Sequence, residues 1–368
     1  MNIIPFRAAF PKVDLITSPK SFFANIKYQF REYRKSGFYD ESNKQGLYAY
    51  QITNKYGEHL GLICCTDIND LANGKVLKHE KTLASKEQQM MHLLLQRKAL
   101  VKPVLLAYQP VEKIQNILKT FIKKSDPKVD VTFENQTEIH KVWPIVEKSL
   151  INKLTKLFSK VPAAYIGDGH HRTSTVALLS ASKDLGEEAK KYNQLLTAYF
   201  PFSELHIFDF NRVVDIGEIM SGSLFMAEMS THFNIEKLDA PAKPTKKHSV
   251  TLYIDKQWYL LNWKSKILTP KKDKSPILDA ALINKNIFGK ILGIKDVRLD
   301  QRIKYYGGVE PIRKIVKHAD KCALGVGICI YPVSHAELTG MADRHQTLPP
   351  KSTWFEPRLV SGIIAKDL

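Results

Sequence analysis

The stretch Tyr165-Ile166-Gly167-Asp168-Gly169-His170-His171-Arg172-Thr173-Ser174-Thr175 carries the densest set of chemically capable side chains in the chain. A short apolar strand runs into Gly167, and His170-His171-Arg172 opens a helix continued by Val176, Leu178 and Leu179. Such a turn presents free backbone N–H groups at the positive end of a helix dipole, which makes it an anion site. Gly167 and Gly169 allow backbone to approach a ligand closely. Arg172 offers a bidentate fork for phosphate, with His171 and Thr173 beside it in the cradle. Asp168 suits a metal ligand, an acceptor for a ribose hydroxyl, or a proton acceptor, and His170 suits proton transfer. The plainer reading makes Asp168 a helix cap and the histidines partners of local carbonyls. Adjacent histidines diverge, so they do not share one metal ion.

Two further segments admit both a chemical and a structural reading. His79-Glu80-Lys81-Thr82 lies just before a strong helical pattern. Glu80, between Lys78 and Lys81, fits a general base able to take a hydroxyl proton; the alternative is a salt bridge at a helix entrance. In Pro349-Pro350-Lys351-Ser352-Thr353, Lys351 and Ser352 fit a phosphate or carboxylate, whereas Trp354 and Phe355 fit a strap anchored on the core.

These residues need elements to hold them. Apolar spacing predicts helices over 21–35, 85–99, 111–123 and 149–158, with Ser85 capping the second and Gln88 completing its box. Strands are expected at 47–53, 59–66, 104–108, 129–133 and 163–166, and at 138–146, where Pro144 weakens the end. Further strands are expected at 195–200, 250–254, 258–263 and 323–331. Strand–helix alternation of this kind argues for a mixed α/β fold. At 368 residues two compact regions are expected, 1–210 carrying the DGHHR turn and 211–368 a second α+β region. Lysine-rich stretches at 243–247 and 264–274 mark surface loops.

Composition narrows the function. The net charge is +18, but only 11 of the 55 basic residues are Arg. Readers of nucleic acid lean on Arg for its planar fork, so a Lys-heavy excess reads first as a solvated surface. Four Cys without a CxxC pair exclude a zinc ribbon and imply reduced, buried thiols. GxGxxG, GxxxxGK[ST] and GxSxG are absent, and HExxH fails because Leu83 stands where its second His belongs. Residues 1–11 contain Arg7 and two prolines where a signal peptide needs an unbroken apolar core. The longest apolar run, 324–333, is about half of the roughly 20 residues that span a bilayer. The chain is expected to be soluble and cytoplasmic, with no membrane partner.

The DGHHR turn resembles the hallmark of the uncharacterised family catalogued as DUF 1015. Pro5-Phe6-Arg7-Ala8, Leu77-Lys78-His79-Glu80-Lys81-Thr82, Met341-Ala342-Asp343 and the 348–357 segment resemble other signatures of that family, in order along the chain. The same turn is similar to the phosphate-handling turn of ParB/sulfiredoxin-like proteins, particularly free-serine kinases. That likeness implies a ParB/sulfiredoxin-like core and a phosphotransferase moving a phosphoryl group between a nucleotide (ATP or ADP) and a small hydroxylated metabolite such as serine. Mg²⁺ would be held at Asp168, because oxygen ligands and substrate phosphates suit it, and Glu80 would be the base. The rivals are a nucleotide-dependent ParB-like DNA-binding or regulatory protein, and a phosphate-ligand-binding protein without turnover.

Overall fold

The computed structural model describes residues 1–133, 137–269, 273 and 275–368. Lys271, Lys272 and Lys274, part of the lysine-rich stretch read as a loop, lie outside the described residues. The chain divides into two compact units, Met1–His206 with Pro357–Leu368, and Ile207–Glu356. The last twelve residues thus return to the first unit, where the sequence reading placed them with the second. Pairing explains the return: Lys366 and Asp367 align with Leu100 and Ala99, and Ala365 bridges Ala9.

In the first unit, nine strands among the described residues form one mixed sheet. They are β1 (Ile3–Ile4), β2 (Leu47–Asn54), β3 (Gly57–Asp67), β4 (Val76–Leu77), β5 (Val104–Tyr108), β6 (Val129–Thr132), β7 (Ile139–Ile145), β8 (Ala164–Asp168) and β9 (Gln194–Pro201). Their order is β4-β8-β5-β9-β3-β2-β7-β6, with β1 on β3. The pairs β4/β8 and β5/β9 are parallel and the others antiparallel. All five residues of β5 and seven of the eight in β9 are buried, the continuous apolar reading of strands covered on both faces. Pro144 survives in β7 because it pairs with Tyr48 of β2 beyond Val142, the last residue matched to β6. There the strand is bare on one side, a place Pro tolerates.

Helices α1 (Pro19–Lys35), α2 (Ala84–Arg97), α3 (Glu112–Ile122), α4 (Lys148–Phe158) and α5 (His170–Ser180) also belong to this unit. Ser18 caps α1, accepting from the Ser21 amide with Pro19 in the first turn. Ser85 does not cap α2, contrary to the sequence expectation. Leu83 takes the N-cap position without a side-chain cap, and its amide is satisfied by His171 instead.

Among the described residues, the second unit is built on an antiparallel six-stranded sheet with helices packed on it. Its strands β10 (Phe210–Asp215), β11 (Phe233–Leu238), β12 (Ser249–Ile254), β13 (Gln257–Trp263), β14 (Ile303–Gly307) and β15 (Gly325–Ile330) run in the order β11-β13-β12-β15-β10-β14. The β12–β13 hairpin turns on Asp255 and Lys256, both at positive φ (47° and 62°), the geometry of a type I′ turn. Val214, Leu252, Ile328, Phe225 and Phe288 meet in its main core. The four cysteines are unpaired, three of them buried and Cys322 half-buried. No helix among the described residues is long and apolar enough to cross a membrane.

Candidate anion site at the strand-to-helix turn

The turn is built by two glycines with different tasks. The register of β8 against β5 shifts between Ile166 and Asp168, so Gly167 is the extra residue of a β-bulge that re-aims the strand end. Gly169 is the N-cap of α5, with φ 111° and ψ 25°, a conformation that side chains other than glycine rarely adopt. A β-carbon on residue 169 would stand 2.6 Å from Nη2 of Arg172 and 3.0 Å from its Cζ. Gly169 therefore makes room for the guanidinium to fold back over the turn, where the sequence reading gave that room to a ligand. Asp168, read as a possible cap, ends the strand instead.

Arg172 Nη2 donates to Asp168 Oδ2 (2.9 Å) and to the Pro103 carbonyl (3.3 Å), and Lys102 Nζ lies 3.7 Å from the same carboxylate oxygen. Burial alone would raise the Asp168 carboxyl, but Arg172, Lys102 and Arg358 outweigh it and hold it far below the usual range. Burial, then Arg172 and Arg358, bring the Lys102 ammonium down to about 8 against the pull of Asp168. Burial and Arg172 likewise lower Arg97 to about 10. The Arg97 guanidinium donates to the carbonyls of Ala99 and Lys27 rather than to a carboxylate. Arg97, Lys102 and Arg172 line one cavity of about 220 Å³ between α2 and α5. The cluster is a concentration of positive charge with Asp168 as its near counter-charge.

The two histidines contact the segment leading into α2. His170 Nε2 accepts from the His79 amide (3.4 Å) and His171 Nε2 from the Leu83 amide (3.1 Å). They hold backbone amides, where the structural reading of the sequence had them satisfy carbonyls. Glu87 in the first turn of α2 accepts from the Ser174 hydroxyl at 2.5 Å, and hydrogen bonds from Ser174 and Thr82 keep its carboxyl below the usual range. This fastening carries Glu80 to the turn: its Oε2 lies 3.6 Å from His170 Nδ1. With Nε2 occupied as an acceptor, the hydrogen-bond network puts the His170 proton on Nδ1, the nitrogen that faces Glu80. Burial pushes the His170 pKa well below its ordinary value, with His79 adding to the effect, so the ring is neutral.

His79, Glu80 and His170 offer ligand atoms that all lie within 4.8 Å of one another, a grouping able to hold a metal ion. A metal on His170 Nδ1 would have to displace the proton assigned there. The proton on Nδ1 faces the Glu80 carboxylate across 3.6 Å, so His170 acts on Glu80 as a nearby neutral dipole rather than as a direct hydrogen-bond donor.

A family model described as "Protein of unknown function (DUF1015)" matches residues 6–282, three quarters of the chain. The chain belongs to the DUF1015 family. The match takes in Phe6-Arg7-Ala8, the His79-Glu80 segment and the DGHHR turn, while the 341–343 and 348–357 segments lie beyond it. No curated protein is significantly similar in sequence. Among solved structures, this DUF1015 chain resembles a free serine kinase in complex with AMP (11% identity, TM-score 0.41, covering 80% of this chain and 86% of that one). It also resembles a conserved hypothetical protein from Pyrococcus furiosus (11%, 0.39, 81% and 94%) and C-terminally truncated SbnI from Staphylococcus aureus (10%, 0.39, 81% and 85%).

Of the residues singled out in sequence, this DUF1015 fold brings Glu80, Gly167, Asp168, Gly169, His170, His171 and Arg172 together in the first unit. Thr173 is buried and donates its hydroxyl to the Gly169 carbonyl at 3.1 Å, a bond within the helix. Lys351 and Ser352 belong to the second unit. There the Lys351 ammonium stands over the Phe210 ring at 5.1 Å, and the buried Ser352 hydroxyl donates to the Pro349 carbonyl at 2.7 Å. Phe355 is buried and Trp354 packs edge-on against Phe210. Sequence reasoning missed Arg97, Lys102 and Arg358. For the two arginines the available signal was scarcity, with 11 Arg in the chain; Lys102, one of 44 lysines, carried no such signal.

Proposed function

We propose that the first unit binds the phosphates of a nucleotide at the cation cluster and transfers a phosphoryl group to a small hydroxylated acceptor such as serine. One observation carries the reading: Arg97, Lys102 and Arg172 converge on a single cavity beside the N-terminus of α5. Crowded cations repel one another, and a polyanion relieves that repulsion while replacing the water they have lost. The likeness of the DGHHR turn to that of ParB/sulfiredoxin-like proteins supports the same reading.

In the transfer, the bond from phosphorus to the nucleotide's bridging oxygen breaks and a bond to the acceptor oxygen forms. The hydroxyl proton passes to Glu80, and the released nucleotide keeps the bridging electron pair. The neutral His170 ring stands beside Glu80 with its Nδ1–H toward the carboxylate, while Arg172 and Lys102 stabilise the charge that spreads over the phosphoryl oxygens. A Mg²⁺ carried in with the nucleotide would find the Asp168 carboxylate at the turn and would compete for it with Arg172 and Lys102.

Phosphorus NMR of the protein with ATP or ADP, Mg²⁺ and serine tests the reaction. A phosphomonoester signal that grows with time, and falls by about 10²–10⁴-fold in Glu80→Gln, is the expected result. Nucleotide binding with no new ester over a panel of small hydroxyl compounds would leave a binding protein without turnover.

A further inference from the structure

We infer that the cavity between α2 and α5 seats the base of the nucleotide whose phosphates rest on Arg172 and Lys102; this rests on the reading above and adds where the ligand's uncharged part lies. The cavity is larger than an anion needs. Water occupies roughly 30 Å³, so a space of about 220 Å³ leaves room for several atoms beyond one phosphate group. Its chemistry is divided. Leu94, Val104, Val176 and Leu196 supply buried apolar wall, while the charged groups sit on Lys27, Arg97, Lys102 and Arg172. A ligand that fills both zones carries an apolar or flat body attached to an anion.

Three features favour a base over an alkyl chain. The wall contains the hydroxyls of Thr175 and Ser361, which an alkyl group would bury without partners and a base edge can engage. The Thr175 hydroxyl is buried and makes only a 3.5 Å contact to the Glu87 carbonyl, the weak limit of a hydrogen bond. The Arg172 Nε–H is buried and without a partner in the structure, a donor on the cavity lining. Among the described residues of the lining there is no Phe, Tyr or Trp, so the flat guanidinium groups of Arg97 and Arg172 are the surfaces on which a ring can stack.

Calorimetry with pyrophosphate, ADP and an alkyl diphosphate on the full chain tests this. ADP should bind at least about tenfold tighter than pyrophosphate, and Val176→Phe, which fills the chamber, should remove that advantage while leaving pyrophosphate affinity in place. Thr175→Val, nearly isosteric, covers the case in which the Phe variant does not fold; it should cut ADP affinity several-fold and spare pyrophosphate. On ADP binding, ring currents should shift the methyl resonances of Leu94 and Val176. Equal affinity for ADP and pyrophosphate in the unaltered protein would overturn the base pocket and leave the anion site standing. Preference for the alkyl compound over ADP would reassign the chamber to an aliphatic ligand. Binding of none of the three would remove the underlying reading as well.

Discussion

The Arg172 guanidinium lies so close over Gly169 that a β-carbon at residue 169 would come within 2.6 Å of Nη2. This close approach brings Arg172 onto Asp168, where Lys102 and Arg358 add their charge. Folding back four residues, Arg172 reaches Asp168 at 2.9 Å and closes an ion pair across the start of α5. A backbone at φ 111° and a crowding arginine both demand glycine at the same position.

Gly169→Ala should therefore lose stability and anion binding together. The strained backbone costs about 1–3 kcal/mol, and the displaced guanidinium leaves Asp168 without its nearest partner. Urea unfolding and phosphate-ligand calorimetry on the same sample check both halves. A stable variant with intact binding would show that the arginine can sit elsewhere at no cost.

Lys102 gives the site a pH dependence with a definite sign. Its ammonium is lowered to about 8 by burial and by Arg172, so near pH 8 about half of the molecules carry it neutral. A bound anion raises that value, and binding near pH 8 must take up protons. Affinity should be full below pH 7 and decline as the pH rises past about 8. Titrations in buffers of different ionisation enthalpy read the uptake directly, and Lys102→Met should abolish it.

His171 is expected to act as a fastener. Its Nε2 accepts the Leu83 amide at the entrance of α2. His171→Leu leaves that amide without its acceptor, at about 1 kcal/mol or more, and hydrogen exchange at Leu83 should accelerate. His171→Gln can restore an acceptor and should slow the exchange again. Unchanged exchange in the Leu variant would mean that the segment is held by Glu87 and Ser174 alone.

The buried imidazoles make the first unit acid-sensitive. Burial lowers His79 to about 3, and His170 also lies well below its ordinary value. For both, the folded value lies below the unfolded one. The stability they contribute is complete above about pH 6.5 and is lost as pH falls from there toward the folded values, by up to about 1.4 kcal/mol per pH unit for each group. Denaturation series from pH 7 to 5 should show this slope, and His79→Gln should reduce it to the share that His170 contributes.

Much of this architecture is legible in the sequence, because apolar periodicity is local. The hairpin at residues 249–263, the buried strands β5 and β9, and helices α1, α3 and α4 announce themselves through spacing alone. The cap of α2 was not legible, since the partner of the Leu83 amide is an imidazole 88 residues away. Likewise, Lys102 and Arg358 join Asp168 only through the return of the C-terminal tail and the neighbouring β5 entrance, contacts with no periodic signature. Glu80 was singled out for its chemistry, and the fold places it against His170. Lys351 and Ser352 were singled out on the same kind of argument, and the fold places them in the other unit.

The central claim is that the cations around the turn form an anion site in which Arg172 is a principal donor. Isothermal titration of pyrophosphate into the protein and into Arg172→Ala at pH 7 tests it most directly. One saturable site is expected, weakened in the folded variant by the roughly 1.5–3 kcal/mol of a charge-assisted hydrogen bond, on the order of 10- to 150-fold. Equal affinity in a folded Arg172→Ala protein, or no binding to the unaltered one, would contradict the account.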